Sequence, residues 1–200
     1  MSNFYKRQPE SYYRDHISKA TSVVVLRNPW VRAVSAYRQK LSDEKTQGNV
    51  LRKIQREILI SQRGLPADYK RKRGSESPTF EEFVRHNIQV ERIKERHFNK
   101  QASFLGKNLQ RYDAVIPLEF AGPLSQRLFD SVGKKVKLFA AYDQISDPKL
   151  QSSVIKAKEW FSSLDKTLTD KFYELYKFDF LLLNYSNFSD SNFPLPLDYY

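Results

Sequence analysis

The sequence contains no cysteine, one methionine and three histidines in its 200 residues. The absence of cysteine excludes disulfide bonds and thiolate metal sites, and it leaves the redox compartment undecided. Long hydrophobic runs are also absent, since no apolar stretch approaches the roughly 20 residues that cross a bilayer. The first residues, MSNFYKRQPESYYRDH, lack the apolar region of a signal peptide, so the chain as given carries no recognisable targeting segment.

Positive charge is what the chain has in excess. Its 34 lysines and arginines stand against 23 acidic residues, which gives a formal net charge of +11 and an isoelectric point near 9.7. This balance favours a polyanionic partner, and it leaves nucleic acid, an anionic membrane surface, a nucleotide and an acidic polysaccharide open. The length and the 40% apolar content suit one globular core. We predict an N-terminal segment (1–20), one domain (21–185) and a poorly ordered tail (186–200).

The stretch TSVVVLRNPWVRAVSAYRQKL, residues 21–41, predicts a strand that turns directly into a helix. The run Val23–Leu26 is short, β-branched and uninterrupted, as in strands that are buried on both faces of a parallel sheet. Asn28 suits the N-cap and Pro29 the first helical position. A helical wheel places an apolar set of residues on one side, which we expect to pack on the sheet: Trp30, Ala33, Val34, Tyr37 and Leu41. The opposite side is polar and carries Asn28, Arg32, Ser35 and Gln39.

The same turn predicts an anion site. Arg27 leaves the end of the strand beside the start of the helix, and Arg32 and Ser35 lie along the polar flank. A helix N-terminus offers free N–H groups and the positive end of the dipole, so two guanidiniums and a hydroxyl placed there favour a phosphate group. The alternative is that both arginines are solvated side chains lying over apolar surface.

Further along, apolar residues at helical spacing predict a helix from Asn49 to Arg63 and more helices from Lys149 onward. Thr79 and Glu82 form a capping box that predicts another helix start, with Phe80, Phe83, Val84 and Asn87 on one face. The basic run Lys70–Arg73 is expected in an exposed loop, where a solvated role is the alternative to binding.

A second strand is predicted from Tyr112 to Phe120, although Pro117 weakens the case for an interior position in the sheet. A helix from Gly122 to Val132 and a short strand from Val136 to Phe139 are expected next, and the aromatic stretch Tyr173 to Tyr185 should dock onto the body. Strands followed by helices, with anion-binding residues where the first strand ends, indicate an α/β domain with its ligand at the carboxyl edge of a parallel sheet.

Four segments, in this order, carry a family resemblance: VLRNPWVRAVSAYRQKL, TFEEFVRH, RHFNKQ with YDAVIPLEF after it, and LYKFDFLLLNY. They resemble segments of carbohydrate sulfotransferases of the chondroitin and dermatan type and of their bacterial relatives. The resemblance spans about Val23 to Tyr185. It implies the P-loop-like sulfotransferase α/β fold, with a parallel sheet core flanked by helices, and no metal.

By this resemblance the donor is 3′-phosphoadenosine 5′-phosphosulfate and the acceptor a hydroxyl of a carbohydrate. Arg27 and Ser35 match the two family positions that hold the 3′-phosphate, and Arg32 matches a recurrent arginine of the same segment. His97 is the candidate base for the acceptor hydroxyl. Two further matches to family positions, which shape the acceptor side, are Gln101 and Glu119, although Glu119 could equally serve as a cap or as an ion-pair partner.

One family feature is not found. Upstream of these segments, relatives carry a strand, a lysine-containing turn and a helix that bind the 5′-phosphosulfate, and nothing between Met1 and Thr21 matches them. We therefore expect the chain alone to bind adenosine 3′,5′-bisphosphate weakly and to sulfate slowly or not at all. The expected compartment is the cytoplasm for the chain as given, or the Golgi lumen if an upstream membrane anchor is missing.

Two other function classes remain as alternatives. A basic, non-enzymatic module that binds nucleic acid or an acidic glycan would explain the charge without any chemistry. Nucleic acid is the less expected partner, because no RNA-binding aromatic pair, zinc-ligand spacing or basic region with heptads is recognisable. A P-loop kinase is disfavoured, since the sequence holds no G-x-x-x-x-G-K-[ST].

Overall fold

The computed structural model describes residues 21–42, 48–70, 76–91, 93, 95–105, 112–120 and 148–185, together with positions 11, 127 and 130. In chain order these residues form β1 (Val23–Leu26), α1 (Pro29–Lys40), α2 (Asn49–Arg63), α3 (Phe80–Val90), β2 (Ala114–Pro117), α4 (Pro148–Ser162), α5 (Lys166–Leu175) and α6 (Lys177–Leu182). Short 3₁₀ turns cover Arg96–Phe98, Gln101–Phe104 and Leu118–Phe120.

Several expectations fall wholly or mostly outside the described residues. They are the upstream segment before Thr21, the basic run after Lys70, the helix predicted for 122–132, the strand predicted for 136–139 and the tail 186–200. Among the helices of the described ranges, none has the length and apolar character that crossing a membrane requires.

Strands β1 and β2 pair in parallel, with Val23 opposite Ala114 and Leu26 opposite Pro117. The prediction that β1 is buried on both faces is wrong. Val23 and Val25 are 37% and 47% exposed, whereas Leu26 is buried. The alternation arises because only one face of the strand packs on the core, and a half-buried strand needs apolar residues on that face alone. Strand β2 is shorter than predicted, because the chain enters a 3₁₀ turn after Pro117.

Helix α1 begins as predicted, with Asn28 as the N-cap. Its Oδ1 accepts the backbone N–H groups of Trp30 at 2.9 Å and Val31 at 3.4 Å, which satisfies donors that have no partner within the helix. The whole predicted apolar side is buried. The side packs mainly against helices rather than on the sheet: the Trp30 ring lies 4.5, 5.2 and 4.7 Å from the rings of Phe161, Phe172 and Phe180.

Helices α2 and α3 also confirm their sequence patterns. Helix α2 has the predicted bounds, Asn49–Arg63. At the start of α3, the Glu82 N–H donates to Thr79 Oγ1 at 3.2 Å and the Thr79 N–H donates to Glu82 Oε2 at 2.7 Å, which is the predicted capping box. The expected inner face of α3 is buried, so α3 contributes two aromatic rings, Phe80 and Phe83, to the core.

The closing segment, which we define as residues 175–185, docks onto the body as predicted. It contains the end of α5 and all of α6. Phe180, Leu183 and Tyr185 are buried in the same core as Trp30. The segment thereby comes to lie against the 3₁₀ turn Gln101–Phe104, with which α6 is in contact.

Candidate functional site

Arg27 stands at the carboxyl end of β1, and Gln101 fixes its backbone. The Arg27 N–H donates to Gln101 Oε1 at 2.8 Å, and Gln101 Nε2 donates to the Arg27 carbonyl at 2.7 Å. Both ends of the Gln101 amide are thus engaged by one residue. Gln101 positions Arg27 in this structure, and direct contact between Gln101 and an acceptor stays a prediction.

The guanidinium of Arg27 is largely buried, with 20% of the side chain exposed. Its Nε lies 3.9 Å from Glu119 Oε1 and is buried without a hydrogen-bond partner among the described residues. Burial lowers the pKa of Arg27, and the nearby Glu119 carboxylate opposes that effect. A desolvated cation with an unused N–H donor is costly unless an anion binds it. This arrangement suits an anion site at the end of β1.

Glu119 follows β2 and contacts Arg27, Asn28 and Tyr185. Its carboxylate accepts the Asn28 N–H at 3.1 and 3.2 Å and the Tyr185 hydroxyl at 3.1 Å. Burial raises the pKa of Glu119, whereas Arg27 and the hydrogen bonds oppose the rise. The alternative role as cap and ion-pair partner therefore describes what Glu119 does here, with arginine rather than lysine as the partner. A contact with acceptor stays a prediction.

Arg32 braces the turn that carries His97. Its Nη1 donates to the Asn99 carbonyl at 2.6 Å, and its Nη2 donates to the Arg96 carbonyl at 3.1 Å. Burial lowers the pKa of Arg32, and Tyr176, Asp179 and Glu95 oppose the shift. The two carbonyls occupy one edge of the guanidinium, so a structural role is shown and a phosphate contact stays a prediction.

Ser35 lies one turn after Arg32 in α1 and is half-buried. The polar flank of the helix therefore presents Arg32 and Ser35 in succession, as the helical wheel predicts. Whether Arg27 and Ser35 bind one phosphate group together stays a prediction.

His97 lies in the 3₁₀ turn Arg96–Phe98 and is oriented by Glu95. The imidazole Nδ1 is 2.7 Å from Glu95 Oε1, and Glu95 Oε2 accepts the His97 backbone N–H at 2.7 Å. Because a carboxylate only accepts, Nδ1 carries a proton, and in the neutral form of the ring Nε2 is then the nitrogen with the free lone pair. The side chain is 35% exposed. An oriented, accessible Nε2 is what a general base requires.

Sequence reasoning missed Glu95. The available signal was a carboxylate two residues before the candidate histidine, at a position where it caps the short turn. Capping residues of 3₁₀ turns have no periodic pattern around them, so the pairing becomes visible only in the fold.

The closing segment forms hydrogen bonds to the turns that carry the candidate site residues. The Tyr176 hydroxyl donates to the Phe98 carbonyl at 2.6 Å and accepts from Asn87 Nδ2 at 2.7 Å. Burial raises the pKa of Tyr176 to about 12, so the hydroxyl keeps the proton that it donates. Asp179 accepts the N–H groups of Gln101 and Ala102, both at 2.7 Å.

Burial also raises the pKa of Asp179, and the two N–H donors oppose that rise. With Tyr185 on Glu119, three residues of the closing segment therefore contact three parts of the site: the His97 turn, the turn after it, and the end of β2. Their hydrogen bonds span 66 to 78 residues of sequence, which is why local patterns do not reveal them.

Where the two parallel strands end, hydrogen bonds join Arg27 to Gln101 and Asn28 to Glu119. Arg32, on the helix that follows β1, is hydrogen-bonded to carbonyls of the turn that carries His97. Within the described ranges, no three histidine, aspartate or glutamate side chains cluster so that they could hold a metal ion. A fixed cation and an oriented imidazole can bind an anionic donor and accept a proton from a hydroxyl.

Comparison with known proteins gives one finding. The protein-family model described as the sulfotransferase family matches residues 1–186. No curated protein and no solved structure matches the chain. The matched stretch includes β1 with Arg27, the His97 turn and the closing segment up to Tyr185. On this match over almost its whole length, the chain belongs to the sulfotransferase family.

Proposed function

We propose that this protein transfers a sulfuryl group from 3′-phosphoadenosine 5′-phosphosulfate to a hydroxyl of a carbohydrate. The family match supports sulfuryl transfer. The observation that carries the donor assignment is the largely buried Arg27, whose Nε has no hydrogen-bond partner among the described residues. Transfer of this kind depends mainly on positioning and on stabilising negative charge, as phosphoryl transfer does.

On the donor side, Arg27 and Ser35 would hold the 3′-phosphate. A phosphate bound to the exposed part of the Arg27 guanidinium would offset the cost of burying this cation, and charge-assisted bonds of guanidinium to phosphate are among the strongest in proteins. When bound, the donor supplies the sulfuryl group and a phosphate leaving group. The family model matches the chain from residue 1, although no segment that would bind the 5′-phosphosulfate is recognisable before Thr21, where only position 11 is described. The weak nucleotide binding and slow transfer expected without that segment stay predictions.

On the acceptor side, His97 would take the proton. The acceptor hydroxyl loses its proton to Nε2 as its oxygen forms the new bond to sulfur and the sulfur–oxygen bond to the leaving group breaks. Glu95 holds Nδ1–H and stabilises the imidazolium that results. Arg32 and Tyr176 keep the turn in place by binding the carbonyls on either side of His97.

The first test measures thermal stabilisation by adenosine 3′,5′-bisphosphate. We expect a rise in the melting temperature that is lost in Arg27→Ala and in Ser35→Ala, because a charged phosphate contact contributes about 1.5–3 kcal/mol. Arg85→Ala is the matched control, since Arg85 is an exposed arginine paired with Glu81 on α3. A retained shift in Arg27→Ala, or an equal shift with any polyanion, would favour the non-enzymatic binding module instead.

The second test separates binding from chemistry. His97→Ala should keep the stabilisation by adenosine 3′,5′-bisphosphate and lose transfer of labelled sulfate to oligosaccharides, because a positioned base contributes about 10²–10⁴-fold to rate. Transfer by His97→Ala at the parent rate would remove His97 from the reaction.

A further inference from the structure

Asp179 is a buried carboxylate to which the proposed transfer gives no role of its own. It lies in α6 and is fully buried, so it cannot touch a bound donor or acceptor. Burying a carboxylate is costly unless hydrogen bonds or charges compensate the loss of water. The groups that compensate Asp179 therefore indicate what this residue does.

Both oxygens of Asp179 accept backbone N–H groups from one short turn. Oδ2 accepts the Gln101 N–H and Oδ1 accepts the Ala102 N–H, each at 2.7 Å. These are the first two residues of the 3₁₀ turn Gln101–Phe104, and Lys100, which precedes them, makes no side-chain cap. The first N–H groups of such a turn have no partner within it. Their cap thus comes from a carboxylate that lies 78 residues further along the chain.

Gln101 extends this restraint to the end of β1. Gln101 is buried, and its side-chain amide donates to the Arg27 carbonyl at 2.7 Å and accepts the Arg27 N–H at 2.8 Å. Asp179 therefore holds the backbone of Gln101, while the side chain of Gln101 holds the backbone of Arg27. We call these three residues the Asp179 relay. It connects the closing segment to the arginine of the proposed donor site.

The relay depends on two acceptor oxygens in Asp179. Burial raises the pKa of Asp179, whereas the two N–H donors and the charges of Arg32 and Lys100 oppose the rise. A carboxylate offers acceptors only, so it can bond both N–H groups at once. An amide in its place could accept from one N–H group, but it would turn an NH₂ donor toward the other.

We propose that Asp179 is a positioning residue of the donor site, which acts through Gln101 to set where Arg27 presents its guanidinium to the 3′-phosphate. The inference rests on the proposed function and adds a residue to it. Only 20% of the Arg27 side chain is exposed, so a small shift of its backbone would change which part of the guanidinium a phosphate meets. Misplacement of a binding group by about 1 Å can cost as much as 10²-fold.

Calorimetric titration of the full chain with two nucleotides tests the proposal. Adenosine 3′,5′-bisphosphate carries the phosphate that Arg27 would hold, and adenosine 5′-monophosphate lacks it. We expect the parent to bind the bisphosphate more tightly. Asp179→Asn should reduce this preference about tenfold, which is the order expected for a weakened hydrogen bond to a charged group, and it should leave the affinity for the monophosphate unchanged.

Asp165→Asn is the matched control, because Asp165 is also a capping carboxylate. It accepts the Thr167 N–H at 2.8 Å at the start of α5 and is not part of the relay. This variant should keep the nucleotide preference of the parent. If Asp179→Asn lowers the melting temperature but keeps the preference, Asp179 is only a structural cap and the proposal is overturned.

Gln101→Met breaks the relay at its centre and leaves Asp179 in place. It should reduce the preference as Asp179→Asn does. The double variant should lose no more than the larger single loss, because effects within one hydrogen-bond network are not additive. An unchanged preference in Gln101→Met would overturn the proposal even where Asp179→Asn does not fold, and additive losses would overturn it where both variants fold.

Failure of the proposed function gives a different result in the same titrations. A parent chain that binds both nucleotides equally, or neither of them, has no site for the 3′-phosphate, so the donor assignment and the role of Asp179 are lost together. A parent that prefers the bisphosphate, with the same preference in Asp179→Asn, retains the proposed donor site and loses only the role of Asp179.

Discussion

Tyr176→Phe removes one oxygen from the closing segment and leaves the ring in place. The hydroxyl is buried between the Phe98 carbonyl at 2.6 Å and Asn87 Nδ2 at 2.7 Å, so its loss strands a buried acceptor and a buried donor. Each stranded group costs about 1–3 kcal/mol. The contact of the ring with Phe172, at 4.7 Å between centroids, should survive. We therefore expect the free energy of unfolding to fall by about 2–6 kcal/mol.

Equilibrium unfolding in urea measures this loss, with circular dichroism and tryptophan fluorescence followed together to check that the transition is two-state. Tyr173→Phe is the matched control on α5, because the Tyr173 ring stacks on Phe180 at 4.9 Å and its hydroxyl has no hydrogen bond within the described residues. The control should change stability by less than about 0.5 kcal/mol. A loss below about 1 kcal/mol for Tyr176→Phe, or equal losses for both variants, would refute the reasoning.

Two further variants test the carboxylates of the site. Burial raises the pKa of Glu119 above its ordinary 4.5. Between pH 4.5 and the folded pKa, the folded state therefore keeps a proton that the unfolded chain has lost. The free energy of unfolding should fall as the pH rises through this range. Glu119→Gln should flatten this part of a stability-against-pH curve, and an unchanged slope would contradict the assignment. Glu95→Gln should reduce the preference of His97 for the tautomer with the proton on Nδ1, which imidazole ¹⁵N shifts report. It should also lower kcat at least about tenfold. Unaltered shifts would show that Glu95 does not orient the ring.

Local structure was predictable wherever neighbours in sequence decide it. The cap at Asn28, the bounds of α2 and the capping box at Thr79 follow from side chains that lie within a few residues of each other. The buried side of α1 follows from helical periodicity in the same way. These features depend on the chain's own geometry, so a single sequence contains the information.

Features set by the rest of the fold were less predictable. Four apolar residues in β1 indicate a strand, but they do not show that Val23 and Val25 lie on its more exposed face. The family resemblance matches Gln101 and Glu119 to positions that shape the acceptor side, and it leaves a cap or an ion pair as the alternative for Glu119. The structure pairs both residues with the turn at Arg27 and Asn28. Such pairings depend on which distant segments meet. Neither composition nor periodicity encodes that.

The closing segment is synthesised after the other residues of the candidate site, because translation proceeds from the N-terminus. Arg27, His97 and Glu119 are all synthesised before Tyr176, Asp179 and Tyr185, the residues that clamp the surrounding turns. A nascent polypeptide halted before Tyr176 would thus contain the candidate donor-binding and base residues without the groups that lock them into register. A premature stop upstream of the closing segment should therefore yield a chain in which the turns around the candidate site lack these hydrogen bonds.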